Sequence, residues 1–275
     1  MHYHEVQPAG PVRRYIRCYW FLAGAEGADD AGTEPALPDG SPELILNFGD
    51  PFESISPRRA PIRQPLIMLV GQITAPFAVR PTGRVDVVAA RLEPFGAVGL
   101  CPTGMSSLTN RWANDQAMPQ ARLDQTWQAV RDGGSVERQV AILDQHLAQV
   151  FAAGRQPDSR VEAAVQSIRA SGGTRPLEQI ATSLGTSPRN LQRLFAAEVG
   201  ITPKMLARIT RFQRVFSAWR SDPASLSRIA ADCGYFDQSH LIRDFRDFAG
   251  KPAAAFLAAI PEFTRFFIEP EPKAR

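Results

Sequence analysis

Apolar positions change their period along the chain. Over the first hundred residues they come as short runs: Tyr15-Ile16-Arg17-Cys18-Tyr19-Trp20-Phe21-Leu22, Glu43-Leu44-Ile45-Leu46-Asn47-Phe48, Leu66-Ile67-Met68-Leu69-Val70 and Val85-Asp86-Val87-Val88-Ala89-Ala90-Arg91-Leu92. Gly, Pro and Asp clusters such as Leu37-Pro38-Asp39-Gly40-Ser41-Pro42 separate them. Short strands between turn signals predict a small barrel or sandwich. The stretch 23–35, rich in Ala, Gly and acid, predicts a loop. After Trp112 the period becomes helical. Leu123, Trp127 and Val130 share one face, and Gly133-Gly134 closes that helix. Val136, Val140, Leu143, Leu147 and Val150 then recur every four and three residues, a stripe about two heptads long. A helix over 135–151 carrying it packs on its own β-domain, forms a homodimer contact, or does both. The polar Gly154-Arg155-Gln156-Pro157-Asp158-Ser159 predicts a boundary, and from Val161 onward the pattern is helical throughout.

Within that helical half a unit occurs twice. Leu177, Ile180, Ala181 and Gly185 recur as Leu226, Ile229, Ala230 and Gly234, and Leu191, Phe195 and Gly200 recur as Leu241, Phe245 and Gly250. The offset slips from 49 to 50 between Gly185 and Leu191, where a turn absorbs one residue. Each unit has the logic of a helix-turn-helix. A short helix buries Ile-Ala, Gly ends it, and a polar cap starts the next helix, Ser187 before Pro188 and Asp237 before Gln238. Leu191, Leu194 and Phe195 form one buried stripe and Leu241, Ile242 and Phe245 the other. The outward positions hold Arg189, Asn190, Gln192 and Arg193, then Gln238, Ser239, His240, Arg243 and Arg246. Arg, Gln and Asn match base edges in the major groove, and Ser and His reach phosphates. A single αα corner is common, but two copies joined by a basic helix over 203–220 point to double-stranded DNA. Two recognition helices on one rigid body fit successive major grooves about 34 Å apart. Arg211 on the connecting helix is expected to touch phosphate.

Charge sharpens this picture. The 275 residues carry 31 Lys+Arg and 28 Asp+Glu, a net +3 too small to announce a nucleic-acid binder. The surplus is uneven: residues 1–157 hold 14 basic against 16 acidic side chains, and residues 158–265 hold 15 against 10. Within 180–220 the ratio is seven to one, where phosphate neutralisation would be needed. From 226 to 256 it is four to four. Asp244 and Asp247 on the second recognition helix are expected to lie near phosphate, so the first unit should dominate sequence reading.

Other chemistry is thinly supported. Cys18, Cys101 and Cys233 are far apart and odd in number, so no disulfide framework or zinc pair is expected. His2, His4, His146 and His240 offer no converging metal-ligand set, and no cofactor is expected. No apolar run is long enough to span a membrane, and no signal peptide is apparent, so a cytoplasmic protein is expected. Asp39 and Glu43 have the residue types for acid–base work, but Asp39-Gly40 reads more simply as a turn, and no catalytic residue is assigned.

Residues 160–260 resemble the DNA-binding domain of the AraC/XylS transcription regulators. The resemblance rests on Ile180-Ala181, Ser187-Pro188-Arg189-Asn190-Leu191-Gln192-Arg193-Leu194-Phe195, Gly200-Ile201-Thr202-Pro203 and Ile229-Ala230-Ala231-Asp232-Cys233-Gly234-Tyr235-Phe236-Asp237-Gln238-Ser239-His240-Leu241. It implies base-facing roles for Arg189, Gln192 and Arg193, and base or phosphate contacts for Gln238, Ser239 and Arg243. Ile242 departs from the Ser or Thr of many relatives.

The run 37–50, with Gly71-Gln72 and Phe95-Gly96-Ala97, resembles the variable N-terminal domain of some AraC-type regulators. That resemblance implies sensing of a small-molecule effector, dimerisation, or both, with RNA polymerase as a further partner. The expected fold is therefore α+β in two domains. Residues 1–154 form a cupin-like β-barrel or sandwich with a helical pair, 155–160 a linker, and 161–265 an all-α double helix-turn-helix. Trp20, Phe48, Phe77, Arg91 and Phe95 are candidate pocket residues, with Arg91 pairing an acidic group; aromatic residues on strands are more often plain core. Two other classes compete. One is a DNA-targeted enzyme, an alkylation-repair-like thiol acceptor using Cys18 or Cys101. The other is a small-molecule binding protein with a degenerate DNA domain.

Overall fold

The computed structural model describes residues 1–24, 32–56, 59–101, 103–221, 225–261, 264, 265 and 268. Most of the expected loop over 23–35, residues 25–31, lies outside the described residues, as does Pro102.

The N-terminal half is built from two antiparallel sheets. The strands are β1 (His2–Val6), β2 (Ile16–Gly24), β3 (Glu34–Pro35), β4 (Glu43–Asn47), β5 (Glu53–Ser56), β6 (Arg59–Arg63), β7 (Ile67–Val70), β8 (Ala78–Arg80), β9 (Val85–Leu92) and β10 (Trp112–Asn114). The larger sheet runs β1-β2-β9-β4-β7-β10 and the smaller β3-β8-β5-β6. Side chains on a strand alternate between faces, so a strand covered on both sides reads as a continuous apolar run. In β9, Val88, Ala90 and Leu92 pack outward against α1 (Leu123–Arg131) and α2 (Val136–Ala153), while Val85, Val87 and Ala89 join Trp20, Leu22 and Phe52 on the other face. The layers are therefore helix pair, large sheet, small sheet.

The stripe on α2 is occupied within the chain. Val140, Leu143, Leu147 and Phe151 are buried in the β-domain core, and Val136 and Val150 pack against it. Its outer face, with Glu137, Arg138, Ala141, Gln145 and Gln149 exposed, is mainly polar. A homodimer through α2 would have to use that face, because the apolar one is covered.

The second half is helical: α3 (Ser159–Ala170), α4 (Leu177–Ser183), α5 (Pro188–Glu198), α6 (Pro203–Ser221), α7 (Leu226–Asp232), α8 (Gln238–Ala249) and α9 (Ala253–Ala258). Asp158 caps α3 through Arg160 N, so the helix starts just ahead of the expected residue 161. Phe212 and Phe216 of α6 pack with Phe245 and Phe248 of α8, Phe212 and Phe245 lying 4.9 Å apart between centroids. Ile180, Ala181, Leu191 and Phe195 enter the same core as their repeat partners Ile229, Ala230, Leu241 and Phe245.

The two halves are docked. Thr109 Oγ1 donates to Gly200 O at 2.6 Å, Gln213 Nε2 to Pro38 O at 2.6 Å, and Arg155 pairs with Glu198 at 2.6 Å. Arg14 with Glu162 and Arg169 with Glu93 add ion pairs.

Candidate nucleic-acid interface and effector cavity

The two helix-turn-helix units are assembled as the repeat predicts. The first helix of each ends at a glycine with positive φ, +61° at Gly185 and +78° at Gly234. A Cβ on Gly234 would also sit 2.4 Å from Thr174 Cγ2, so two constraints demand glycine there. Ser187 Oγ accepts from Asn190 N at 3.2 Å, and Asp237 Oδ1 accepts from His240 N at 2.7 Å. Both caps satisfy amides that a helix start leaves without partners.

On α5, Arg189, Gln192 and Arg193 are exposed. Asn190 is half-buried. Its Nδ2 donates to Thr186 Oγ1 at 2.9 Å, and its Oδ1 accepts from Arg193 Nη2 at 2.9 Å. Asn190 therefore anchors to the turn and aims Arg193. On α8, Ser239 and Arg243 are exposed, Gln238 Oε1 accepts from Ser227 Oγ at 2.7 Å, and His240 stands edge-on to Tyr235 at 5.2 Å. Gln238 and His240 are thus tied to their own unit.

Arg211 is turned inward. Its Nη1 donates to Gly173 O, and its guanidinium lies 5.7 Å from the Tyr235 ring. It ties the turn after α3 to the turn before α8, so its geometry is that of a brace. The acidic residues of α8 also differ from expectation. Asp244 is buried and accepts from Arg208 of α6 at 2.6 and 3.0 Å, and Asp247 pairs with the same guanidinium at 2.6 Å. Burial works against the Arg208 charge, but the bonds to Asp244 and Asp247 outweigh it and leave its pKa raised. Arg208 offsets one of the two negative charges and holds both carboxylates against α6, with Asp244 buried and Asp247 half-exposed.

Phe236 was not among the expected contact residues. It is 94 % exposed, directly before the cap Asp237. The available signal was an aromatic side chain outside the buried stripe of Leu241, Ile242 and Phe245.

A cavity of about 120 Å³ lies between the sheets and α6. Trp20, Leu22, Phe52, Phe77 and Val87 line it from the β-domain, Gln213 from α6, and Thr264 and Ile268 from beyond α9. Of the five candidate pocket residues, Trp20 and Phe77 are on its wall. Phe48 is not: it packs on Trp127 of α1, 5.3 Å between centroids. Phe95 is buried in the core of the helical half. Arg91 faces a neighbouring polar cleft and is engaged by Glu5 at 3.0 Å, Glu43 at 3.1 Å and Asp39 at 3.4 Å. Burial opposes its charge, but Glu43 and Asp39 overcome it and raise its pKa. Arg91 holds carboxylates of this chain rather than standing ready for a ligand's. Asp39 also accepts from Ser41 N at 2.8 Å, the turn geometry its sequence suggested. Gln213 and Thr264 carried no signal, because their place on the wall depends on how the two halves dock, and Phe52 reaches it through the packing of the two sheets.

The three cysteines are buried. Burial pushes the Cys18 thiol up to about 12, the reverse of an activated nucleophile. Among the described residues no group of three or more His, Cys, Asp or Glu is placed to hold a metal ion, and no helix is long and apolar enough to cross a membrane.

Comparison with known proteins adds a family at each end. Residues 180–259 match a family model described as a helix-turn-helix domain. The domain is of the AraC type. This AraC-type domain is that of DNA-binding transcription regulators. Residues 4–114 match a domain of unknown function (DUF6597). No curated protein matches the chain. Among solved structures, the chain is similar to ToxT from Vibrio cholerae O395, with 13 % identity and a TM-score of 0.47 over 86 % of this chain and 97 % of that one. A structure of unsaturated-fatty-acid-bound ToxT from Vibrio cholerae strain SCE256 gives the same identity and TM-score over 86 % and 94 %. The AraC-like transcriptional activator CuxR is similar at 15 % identity and a TM-score of 0.32, over 76 % and 79 %.

Proposed function

We propose that the chain is a cytoplasmic transcription regulator that reads DNA with α5 and α8 and takes a small-molecule effector in the cavity between its sheets and α6. The observation that carries this reading is the paired helix-turn-helix, with Arg189, Gln192 and Arg193 exposed on one recognition helix and Ser239 and Arg243 on the other. Arg193, steadied by Asn190, is suited to a bidentate guanine contact. The exposed ring of Phe236 is suited to a thymine methyl or a sugar face at the edge of the same groove. Gln238 and His240 hold the second unit's helix start, and Arg211 positions the two units.

The domain assignment follows: residues 1–154 sense, 155–160 connect, and 161–265 bind DNA. Cavity walls drawn from both halves give effector binding a direct route to α6 through Gln213. Dimerisation would use the polar outer face of α2, and RNA polymerase is the partner through which a bound regulator acts. The buried cysteines and the high Cys18 pKa favour a regulator over a thiol-acceptor enzyme.

The test is selection of bound DNA from a random pool, followed by salt titration on the selected and a scrambled duplex. A recurring sequence with two half-sites about one helical turn apart is expected. Equal affinity for both duplexes at every salt concentration would refute sequence reading, and no affinity even at low salt would favour a small-molecule binder with a degenerate DNA domain.

A further inference from the structure

The polar cleft beside the cavity has a wall of different chemistry. Its volume is about 920 Å³, within the roughly 300–1,000 Å³ of small-molecule sites, and both halves of the chain line it. Arg13, Arg17 and Arg91 come from the β-domain, and Arg169 of α3 and Arg214 of α6 from the helical half. Against these five arginines the described wall sets three carboxylates, Glu5, Asp39 and Glu93. Glu43 adds a fourth from the cavity side through Arg91, but burial pushes its carboxyl toward the neutral form. The cleft keeps a surplus of positive charge.

That surplus has a definite place. Arg91 is taken up by Glu5, Glu43 and Asp39. Arg13 Nε donates to Pro8 O at 2.7 Å and Arg214 Nη2 to Asp232 O at 3.0 Å; among the described residues no carboxylate pairs with either. Arg17 reaches Asp39 only at 3.9 Å. Arg169 pairs with Glu93 through Nη1, while its Nη2 is buried with no hydrogen-bond partner among the described residues. A buried charged donor without an acceptor is costly. Burial and the charge of Arg17 push the Arg169 pKa down, and Glu93 does not restore it. Two like charges thus repel across the boundary between the halves, Arg17 on β2 and Arg169 on α3.

We propose that this cleft binds a small polar oxyanion, a carboxylate or a phosphate ester, which bridges Arg17 and Arg169 and so fastens the two halves together. The planar guanidinium fork suits both groups. The Arg169 side chain is 31 % exposed and lines the cleft, so a turn of its guanidinium brings Nη2 to an incoming oxygen. Asp39, Gln213 and Ile268 stand on both walls, but no Lys, Arg or His is among the described residues of the cavity wall. The anion site is therefore separate from the cavity and does not depend on its role as the effector site.

The test is calorimetric titration of the full-length chain, without DNA and at constant ionic strength, with succinate against succinamide and glycerol phosphate against glycerol. Each pair shares a frame and differs in charge. At least one anion is expected to bind about tenfold or more tightly than its neutral partner, and the preferred anion tells a carboxylate site from a phosphate site. Arg17→Gln and Arg169→Gln, one variant in each half, should each weaken that anion by about tenfold, the order expected for a lost charged hydrogen bond. Because Arg169→Gln also leaves Glu93 unpaired, Glu93→Gln works in the opposite sense. It releases Arg169 Nη1 and removes a negative charge, so it should tighten the anion. Bound anion should also slow limited proteolysis within 155–160 of the unmodified chain. Neutral partners binding as tightly as the anions, or no binding of any probe, overturns the site. Affinity that ignores either arginine, or proteolysis unchanged at saturating anion, overturns the bridge. Sequence-specific DNA binding with no anion binding would sink this inference and leave the regulator reading standing. Anion binding without DNA affinity would do the reverse.

Discussion

At the scale of single residues, cations that look alike in sequence separate into exposed side chains and internal braces. Arg193 is exposed and held by Asn190, whereas Arg211 spends its donors inside the domain. Arg193→Ala is expected to relax base preference by about 1–3 kcal/mol at one position while leaving the melting temperature unchanged. Equal loss on selected and random duplexes would contradict a base-reading role. Arg211→Ala is expected to do the opposite, lowering stability by about 1.5–3 kcal/mol through a lost charged hydrogen bond. Thermal unfolding of the isolated variant, with no DNA present, distinguishes the two. Phe236→Ala should weaken DNA binding with little change in its salt slope, because no phosphate contact is removed; an unchanged affinity would place the ring outside the interface. The exposure of Arg189, Gln192, Arg193, Ser239 and Arg243 was legible because these positions fall opposite a buried stripe at helical spacing. Arg211 was not, since its partners Gly173 and Tyr235 lie far from it in sequence.

At the scale of elements, the repeat made nearly all of the helical half readable. Two copies of Ile-Ala, glycine, cap and Leu/Phe stripe fix four helices and their buried faces, and each cap forms the bond its residue type predicts. Sequence spacing does not give the register between α6 and α8. That register turns Asp244 and Asp247 from an apparent liability into the clamp that Arg208 closes. Asp244→Ala leaves the Arg208 charge with only the half-exposed Asp247, and breaking a buried pair typically costs about 3–5 kcal/mol. Beyond the stability loss, the spacing of the two recognition helices should loosen. A duplex carrying both half-sites should then lose more affinity than one carrying a single half-site, since joined binding depends on geometry that admits both at once. Competition titrations with the two duplexes, at a temperature where the variant remains folded, measure that difference. Equal losses would mean that the clamp contributes stability alone. The same reasoning accounts for the stripe of α2: its period was plain, but only the sheet beneath it determines that the apolar face is already covered.

At the scale of the whole molecule, the two halves meet where sequence carries least information, at loop backbones and the ends of helices. Gly200 follows α5 with φ +87°, its carbonyl accepts from Thr109, and a Cβ there would approach Met105 O to 2.7 Å. Gly185, at φ +61°, has the same left-handed conformation but nothing within 4 Å of where its Cβ would be. Alanine at either site bears the left-handed backbone penalty of roughly 1–2 kcal/mol. At Gly185 that is the whole effect. At Gly200 the methyl also meets backbone of the β-domain, which cannot rotate away, so the end of α5 must separate from the 3-10 turn Met105–Leu108. Separation should strain the neighbouring bonds that span the boundary, Arg155 to Glu198 and Asp158 N to Glu198 Oε2. Limited proteolysis should therefore cut Gly200→Ala within 155–160 faster than the unmodified chain, while Gly185→Ala resists as well as the unmodified chain at matched distance below its melting temperature. If both variants are cut alike, the glycine at 200 serves only its own turn, and the docking of the halves rests on the side-chain bonds alone.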